Sequence, residues 1–234
     1  MLNKLKIVDL PDSFFENPSI KHNISGFAYF DEEINISDVT GVRIKLSSPE
    51  MLYQNISMYF EGKINTRFTC HIHGDNIRVA IGANVSGAYF VKLWPNSRFK
   101  LGSKTTANSL EAWVQREGEI EIGEDCMFAH NVHLQCGDMH GIFDLETQKQ
   151  INNSSPRILI GNHVWLARNC TVLKDISIGS GSIVGISALV TRSIEKNTLV
   201  AGSPAKALRH NVSWTRTEVC SVSDMNFLTD KLTE

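Results

Sequence analysis

Several things are missing from this chain of 234 residues, and each absence removes a class of protein. No window approaches the roughly eighteen consecutive apolar residues that a membrane-spanning helix needs. Met1 to Leu10 carries two lysines, but Asp9, Pro11 and Asp12 interrupt it before any apolar run of signal-peptide length, so a cytoplasmic, unanchored protein is expected. Charge of one sign is not in excess: 23 basic residues face 25 acidic ones, for a net charge of −2, which argues against a nucleic-acid partner. The five cysteines, Cys70, Cys126, Cys136, Cys170 and Cys220, are odd in number and contain no CxxC pair. Neither a disulfide framework nor a thiolate zinc site is indicated.

What is present is a repeat. From Ile160, aliphatic residues recur every six positions as Ile160, Leu166, Val172, Ile178, Val184 and Val190. That period belongs neither to a helix nor to an isolated strand. Small or apolar residues recur four places on, at Val164, Cys170, Ile176, Ser182, Ala188 and Ile194. Two inward positions in six describe a short strand, a turn and the next short strand. Three such units close a triangular coil of about eighteen residues, and stacking buries an aliphatic column that no single coil could bury. Glycine follows the aliphatic residue at Gly82, Gly102, Gly123, Gly161, Gly179 and Gly185, as expected where a corner leaves no room for a side chain or needs an unusual backbone angle. The spacings from Ile81 to Leu101 and from Leu101 to Ile122 are 20 and 21 residues, one coil plus a small extra turn.

The hexad runs through Ile122, Phe128 and Leu134, stops, and resumes at Ile158 or Ile160. Residues 136–157 are therefore expected as a loop extruded from the prism, and a long loop in a compact repeat is usually functional. Residues 1–70 hold β-prone segments without a clean hexad and are assigned to a capping β segment. Residues 71–204 form the β-helix domain, and 205–234 a C-terminal helix and tail, with Ala205 to His210 read as the start of that helix.

The stretch from Ile160 to Arg209, IGNHVWLARNCTVLKDISIGSGSIVGISALVTRSIEKNTLVAGSPAKALR, resembles the C-terminal half of the hexapeptide-repeat acetyltransferases. These include the maltose and galactoside O-acetyltransferases and the capsular sialic acid O-acetyltransferases. With the preceding coil and loop, the resemblance covers roughly residues 120 to 210. It implies an all-β, left-handed parallel β-helix with an extruded loop and a short C-terminal helical tail, acetyl-coenzyme A as co-substrate, a carbohydrate acceptor, no metal and a homotrimer with sites between adjacent prisms.

It also implies roles for particular residues. The loop reads Asp138-Met139-His140-Gly141-Ile142-Phe143-Asp144, where the family places its catalytic histidine with an aspartate nearby. Trp165 matches the tryptophan that lies beside the coenzyme and belongs to the active site in the capsule enzymes. Ala167 stands where the family usually has glycine. Val190-Thr191-Arg192-Ser193 and Ser203-Pro204-Ala205-Lys206, followed by Arg209, match segments that meet the coenzyme, so Thr191, Arg192, Lys206 and Arg209 are assigned to its phosphates. Gly185 and Ser187 join Ala167 as small turn residues allowing close approach.

The chemistry suits these types. Acetyl transfer from a thioester to a hydroxyl requires the hydroxyl proton to leave as oxygen attacks, and an imidazole titrates near the pH at which it must work. His140 is the expected base, its ring held by Asp138 or by a loop carbonyl. A backbone N–H would serve the oxyanion. Plainer readings stand beside these: His140 as a solvated loop histidine, Trp165 as a core or interface aromatic, and the three cations as ordinary surface charges. Cys126 and Cys170 occupy inward hexad slots and are assigned to packing, and Cys136 has no identified base. The runner-up function is N-acetylation of an amino sugar nucleotide. From other classes come a non-catalytic prism and a zinc carbonic anhydrase, which also uses a left-handed prism with three histidine ligands. The histidines for the latter would come from His71, His73, His130, His133 and His163.

Overall fold

The computed structural model describes residues 5–152 and 155–232. Among these, the chain is almost entirely β-structure wound as a stack of parallel coils. One ladder of strands runs Ile24–Asp31, Tyr53–Phe60, Ile77–Ile81, Arg98–Leu101, Glu119–Ile122, Arg157–Ile160 and Ile176–Ile178, each parallel to the next. We call this the first face. Leu5–Asp9 lies antiparallel on its outer edge.

The other two faces share one sheet. Its lower strands, Val39–Leu46, Ile64–Ile72, Ser86–Leu93 and Thr106–Val114, pass through both faces without a break. Above Thr106–Val114 the sheet forks. Met127–Phe128, Trp165–Leu166, Ile183–Val184 and Thr198–Ala201 continue the second face, while Val132–Cys136, Thr171–Leu173 and Leu189–Val190 continue the third.

The inward column Phe30, Phe60, Ile81, Leu101, Ile122, Ile160 and Ile178 is in register from coil to coil and fully buried. The lower coils are longer, enclose more cross-section and fill it with aromatics: Phe68 lies 5.9 Å from Phe99, and Phe30 stacks on Phe60 at 5.2 Å. The upper coils are filled by Ile, Val and Cys. Corner glycines stand where the next coil leaves no room; a Cβ on Gly102 would come within 2.4 Å of Gly123. The positive φ angles fall two residues later, at Asn84, Lys104, Asp125 and His163, where each amide donates to a carbonyl of the coil below.

Two expectations are revised and a third is located in the structure. The parallel stack reaches down to Ile24–Asp31, so no boundary falls at residue 70; the hexad is invisible there because the coils are longer and bulged, not because the architecture changes. The extra residues of the 20- and 21-residue coils lie at the third corner, in turns at 94–97 and 115–118, and the long loop after Cys136 grows from that same corner. Lys206–His210 is a strand antiparallel to Thr198–Ala201 instead of the start of a helix, although Ala205-Lys206-Ala207-Leu208 are good helix formers. Pairing wins because it covers the otherwise open edge of the second face. The helix comes later, at Val222–Leu232, and no helix among the described residues is long and apolar enough to cross a membrane.

Phe99 sits at the centre of the aromatic core, and Phe99→Ala should destabilise the chain by about 3–5 kcal/mol. The expected result is a lower denaturant midpoint with an unchanged m value.

Candidate active site

The loop after Cys136 is fixed at its base. Met139 has a φ of 63° and donates its amide to Gln115 Oε1 at 2.9 Å, while Gln135 Nε2 donates to the Gly137 carbonyl at 2.7 Å. Asp138 is gripped from the coil above by Lys174 and from within the loop by Asn152 Nδ2 at 2.8 Å. The same amide group donates to the His140 carbonyl at 2.7 Å. Within the loop, Phe143–Asp144 pairs with Lys149–Gln150, and Asp144 closes that hairpin through the Thr147 amide and hydroxyl.

These contacts fix the backbone of His140 and leave its ring free. The imidazole is exposed and makes no hydrogen bond to a described residue. Asp138 is therefore not the ring's partner; its carboxylate is occupied by Lys174 and Asn152. Lys174 holds the Asp138 carboxyl below the usual carboxylate range, with Asn152 adding to the effect. Lys174, Asn152 and Gln115 are missing from the sequence-derived set. Lys174 was within reach of it, since the hexad puts the residue after Leu173 at the third corner, one coil above the loop.

Trp165 points outward from the second face, in a column with Ile183, Leu199 and Arg209. Lys206 lies on the same top strand opposite Ala201. Ala167, Gly185 and Ser187 form the corner between the second and third faces, Ala167 donating to Val184 O and Gly185 to Val200 O. Thus Trp165, Ala167, Gly185, Ser187, Lys206 and Arg209 gather on one side of the prism. Thr191 and Arg192 do not join them. They follow Leu189–Val190 at the third corner, where the loop also leaves.

The loop leaves between the third face and the first, and the second face is the one that does not adjoin that corner. One chain therefore holds His140 and Trp165 on opposite sides.

The segment after Asn211, unread in the sequence, folds back along the first corner beside Trp165. Trp214 is buried and stacks on His163 with ring centroids 4.1 Å apart, and its indole N–H donates to the His163 carbonyl at 2.8 Å. The His163 Nδ1 faces Asp125 at 2.8 Å, and Arg216 meets the same carboxylate at 3.0 Å. Trp214 thereby braces one flank of Trp165 at 6.2 Å. A lone tryptophan and arginine in a polar tail carry no periodic signal.

Among the described residues no cluster of three or more His, Cys, Asp or Glu side chains has metal-holding geometry. His71 packs on His73, His133 bonds Gln135, and His163 holds the tail. A groove of about 730 Å³ lies along the first face and first corner, lined by Gly161, Gly179, Ser180 and Glu195 among others, and none of the proposed coenzyme residues lines it. Burial pushes the thiols of Cys126, Cys136 and Cys170 up to about 12 and raises Cys70 as well.

Three outcomes follow. Thiol labelling of the native protein at neutral pH should modify Cys220, the exposed cysteine, and spare the four buried ones until unfolding. Lys174→Ala should loosen the loop and lower turnover roughly ten-fold with little change in stability. Because the folded Asp138 sits below its ordinary value, its contribution to loop order is present above the ordinary carboxylate range and is lost as pH falls through the depressed value. Hydrogen exchange at residues 138–152 should show that loss on the acid side in the wild type and no such step in the variant.

No protein-family model matches the chain. Over 104 residues it is 38% identical to a polysialic acid O-acetyltransferase of Neisseria meningitidis, covering 44% of the chain and 48% of the relative. Over 141 residues it is 33% identical to a polysialic acid O-acetyltransferase of Escherichia coli O1:K1 / APEC, covering 55% and 46%. The match thus spans about half the length of these curated relatives. Among solved structures, the polysialic acid-specific acetyltransferase NeuO superposes with a TM-score of 0.73 at 29% identity, over 82% of this chain and 90% of that one. The polysialic acid O-acetyltransferase OatWY gives a TM-score of 0.65 at 30% identity, over 80% of this chain and 94% of its own. With that identity over nearly the whole of a solved relative, and with the coils and extruded loop of its own structure, the chain belongs to the hexapeptide-repeat acetyltransferases.

Proposed function

We propose that this chain is an acetyl-coenzyme A-dependent O-acetyltransferase acting on a sugar hydroxyl of a surface polysaccharide, with a left-handed coil and His140 as general base. The observation that carries the reading is the loop itself: four hydrogen bonds and an ion pair hold the backbone around a histidine whose ring has no partner among the described residues. A solvated loop histidine needs no such anchorage. The likeness to polysialic acid O-acetyltransferases supports the acceptor class.

In the reaction the acceptor oxygen attacks the thioester carbonyl carbon as His140 takes the hydroxyl proton. A backbone N–H stabilises the tetrahedral oxyanion. Its collapse breaks the carbon–sulfur bond, and the proton held by His140 passes to the leaving sulfur. The products are the sugar acetate and a free thiol. Asp138, Lys174 and Asn152 act as positioning residues, keeping the ring in reach without touching the reacting atoms.

The residues proposed to hold acetyl-coenzyme A are Trp165 at the thioester end, Ala167, Gly185 and Ser187 along the narrow arm, and Lys206 and Arg209 at the phosphates. Thr191 and Arg192 would come from the copy that supplies the loop. Because His140 and Trp165 lie on opposite sides of one chain, a site containing both needs a second copy, and closed rotation of such head-to-tail contacts yields a ring. A homotrimer satisfies this arrangement.

The test is free-thiol release from acetyl-coenzyme A with and without sialic acid polymers, hexoses and amino sugar nucleotides. Release that depends on a glycan is expected; release with none of them, together with no calorimetric binding of the coenzyme, overturns the reading. His140→Ala should lower turnover by about 10²–10⁴-fold with coenzyme affinity nearly unchanged. Activity within a few-fold of wild type would remove His140 from its role.

A further inference from the structure

The outward sides of the first and third faces differ in kind. On the first face the outward row Arg78, Arg98, Glu119 and Arg157 is a run of exposed or paired charges, with Lys100 and Glu121 beside it at 2.7 Å. Such a face is simply solvated. On the third face, the corresponding outward row is Lys45, His71, Lys92, Trp113 and Gln135, in register through five successive coils. Two residues further along each strand, a second row places His73 under Trp94 and ends at Gln115.

These side chains form one connected file. His71 and His73 have ring centroids 4.4 Å apart, His73 stacks on Trp94 at 4.4 Å and 12°, and Trp94 lies 6.2 Å from Trp113. The Lys92 ammonium sits 3.9 Å over the Trp113 ring. Trp113 directs its N–H to Glu111 at 2.6 Å, a carboxylate that also lies 3.9 Å from Lys92 and 3.8 Å from His133, and the ring is left as a platform. Burial lowers His73 to about 4, so it supports Trp94 as a neutral ring. The file leads to the foot of the His140 loop, where Gln135 and Gln115 are the two side chains that hold Gly137 and Met139.

We propose that this file is a track for an extended anionic glycan, which lays the apolar faces of its sugar rings on Trp94 and Trp113, sets its carboxylates against Lys92 and Lys45, and delivers one residue to His140. The proposal rests on the O-acetyltransferase reading and adds to it the part of the acceptor that lies away from the reacting hydroxyl. Three features favour this occupant over plain solvent or a second copy of the chain. Half-buried aromatic rings on an outward face are costly unless something covers them, and aromatics joined to polar partners suit sugar rings. The two lysines of the row match an anionic polymer whose carboxylates take over from the chain's own, Lys45 lying 3.1 Å from Glu16 and Lys92 3.9 Å from Glu111. The file also runs continuously into the loop. Four strand spacings separate Lys45 from Gln135, roughly 19 Å, so the track is long enough to discriminate a polymer from a short acceptor.

The probes are a long polysialic acid chain and disialic acid, assayed with acetyl-coenzyme A on the full-length protein. In the wild type, the ratio of kcat/KM for the long over the short acceptor should be large. Trp94→Ala and Trp113→Ala should each cut that ratio by about ten-fold or more, chiefly through the KM of the polymer. Trp113→Phe should restore most of it, and Arg78→Ala on the first face should leave it in place. A ratio unmoved by both alanine variants overturns the track. Sedimentation of the same variants is the second measurement: a changed oligomeric state assigns this face to a subunit contact and also overturns the proposal. If the wild type releases no thiol with any glycan, the O-acetyltransferase reading has failed by itself. Calorimetric binding of the polymer, weakened in the alanine variants, then upholds the track, and no binding rejects it.

Discussion

Everything in this molecule depends on one constraint: each coil can bury its inward side chains only against the coils above and below. A single coil has too little apolar surface to hold its shape, so the inward residues must recur in register, and the column from Phe30 to Ile178 does so without interruption. The same constraint empties the corners of side chains, since a Cβ at Gly102 or Gly123 would strike the neighbouring coil. It also fixes the outward positions. A strand that must point alternate residues inward points the others out in rows, and those rows are where function can be placed at no cost to the core.

The proposed function is concentrated where the coil is interrupted. The third corner absorbs extra residues in the lower coils, at 94–97 and 115–118, and one coil higher it releases the whole loop after Cys136. A loop of this size would wander if joined only at its ends. Gln115 from below, Lys174 from above and Asn152 from within tie it to the stack, and what these ties fix is the backbone on either side of His140. Rigid coils thus supply precision to a segment that has none of its own.

The upper coils were legible from sequence because eighteen-residue coils repeat strictly, so Ile160 to Ile194 displays the period directly. The lower coils were not: bulges near Gly41 and Gly87 and longer third-corner turns shift the spacing, although the strands at 42–46 and 56–60 read as β-prone. Ala205 to Leu208 favoured a helix by local preference and lost to the need of an open edge for a partner. The loop stood out by its break in the hexad and its polar composition, while His140 and Trp165 were picked out by the family resemblance. Lys174 and the aromatic file on the third face did not, because their meaning lies in which residues of different coils become neighbours. Trp214 and Arg216 belong to a tail without any repeat.

With His140 and Trp165 on opposite sides of one prism, the proposed catalytic unit is a pair of neighbouring copies. Mixing experiments address that claim directly. His140→Ala and Trp165→Ala proteins, each inactive alone, would be dissociated, combined in equal amounts and reassembled before assay. Activity should return, to roughly a quarter of the wild-type value for random assortment in a closed ring, because some sites draw an intact histidine from one copy and an intact tryptophan from the next. A reassembled mixture no more active than its two parents would contradict that claim.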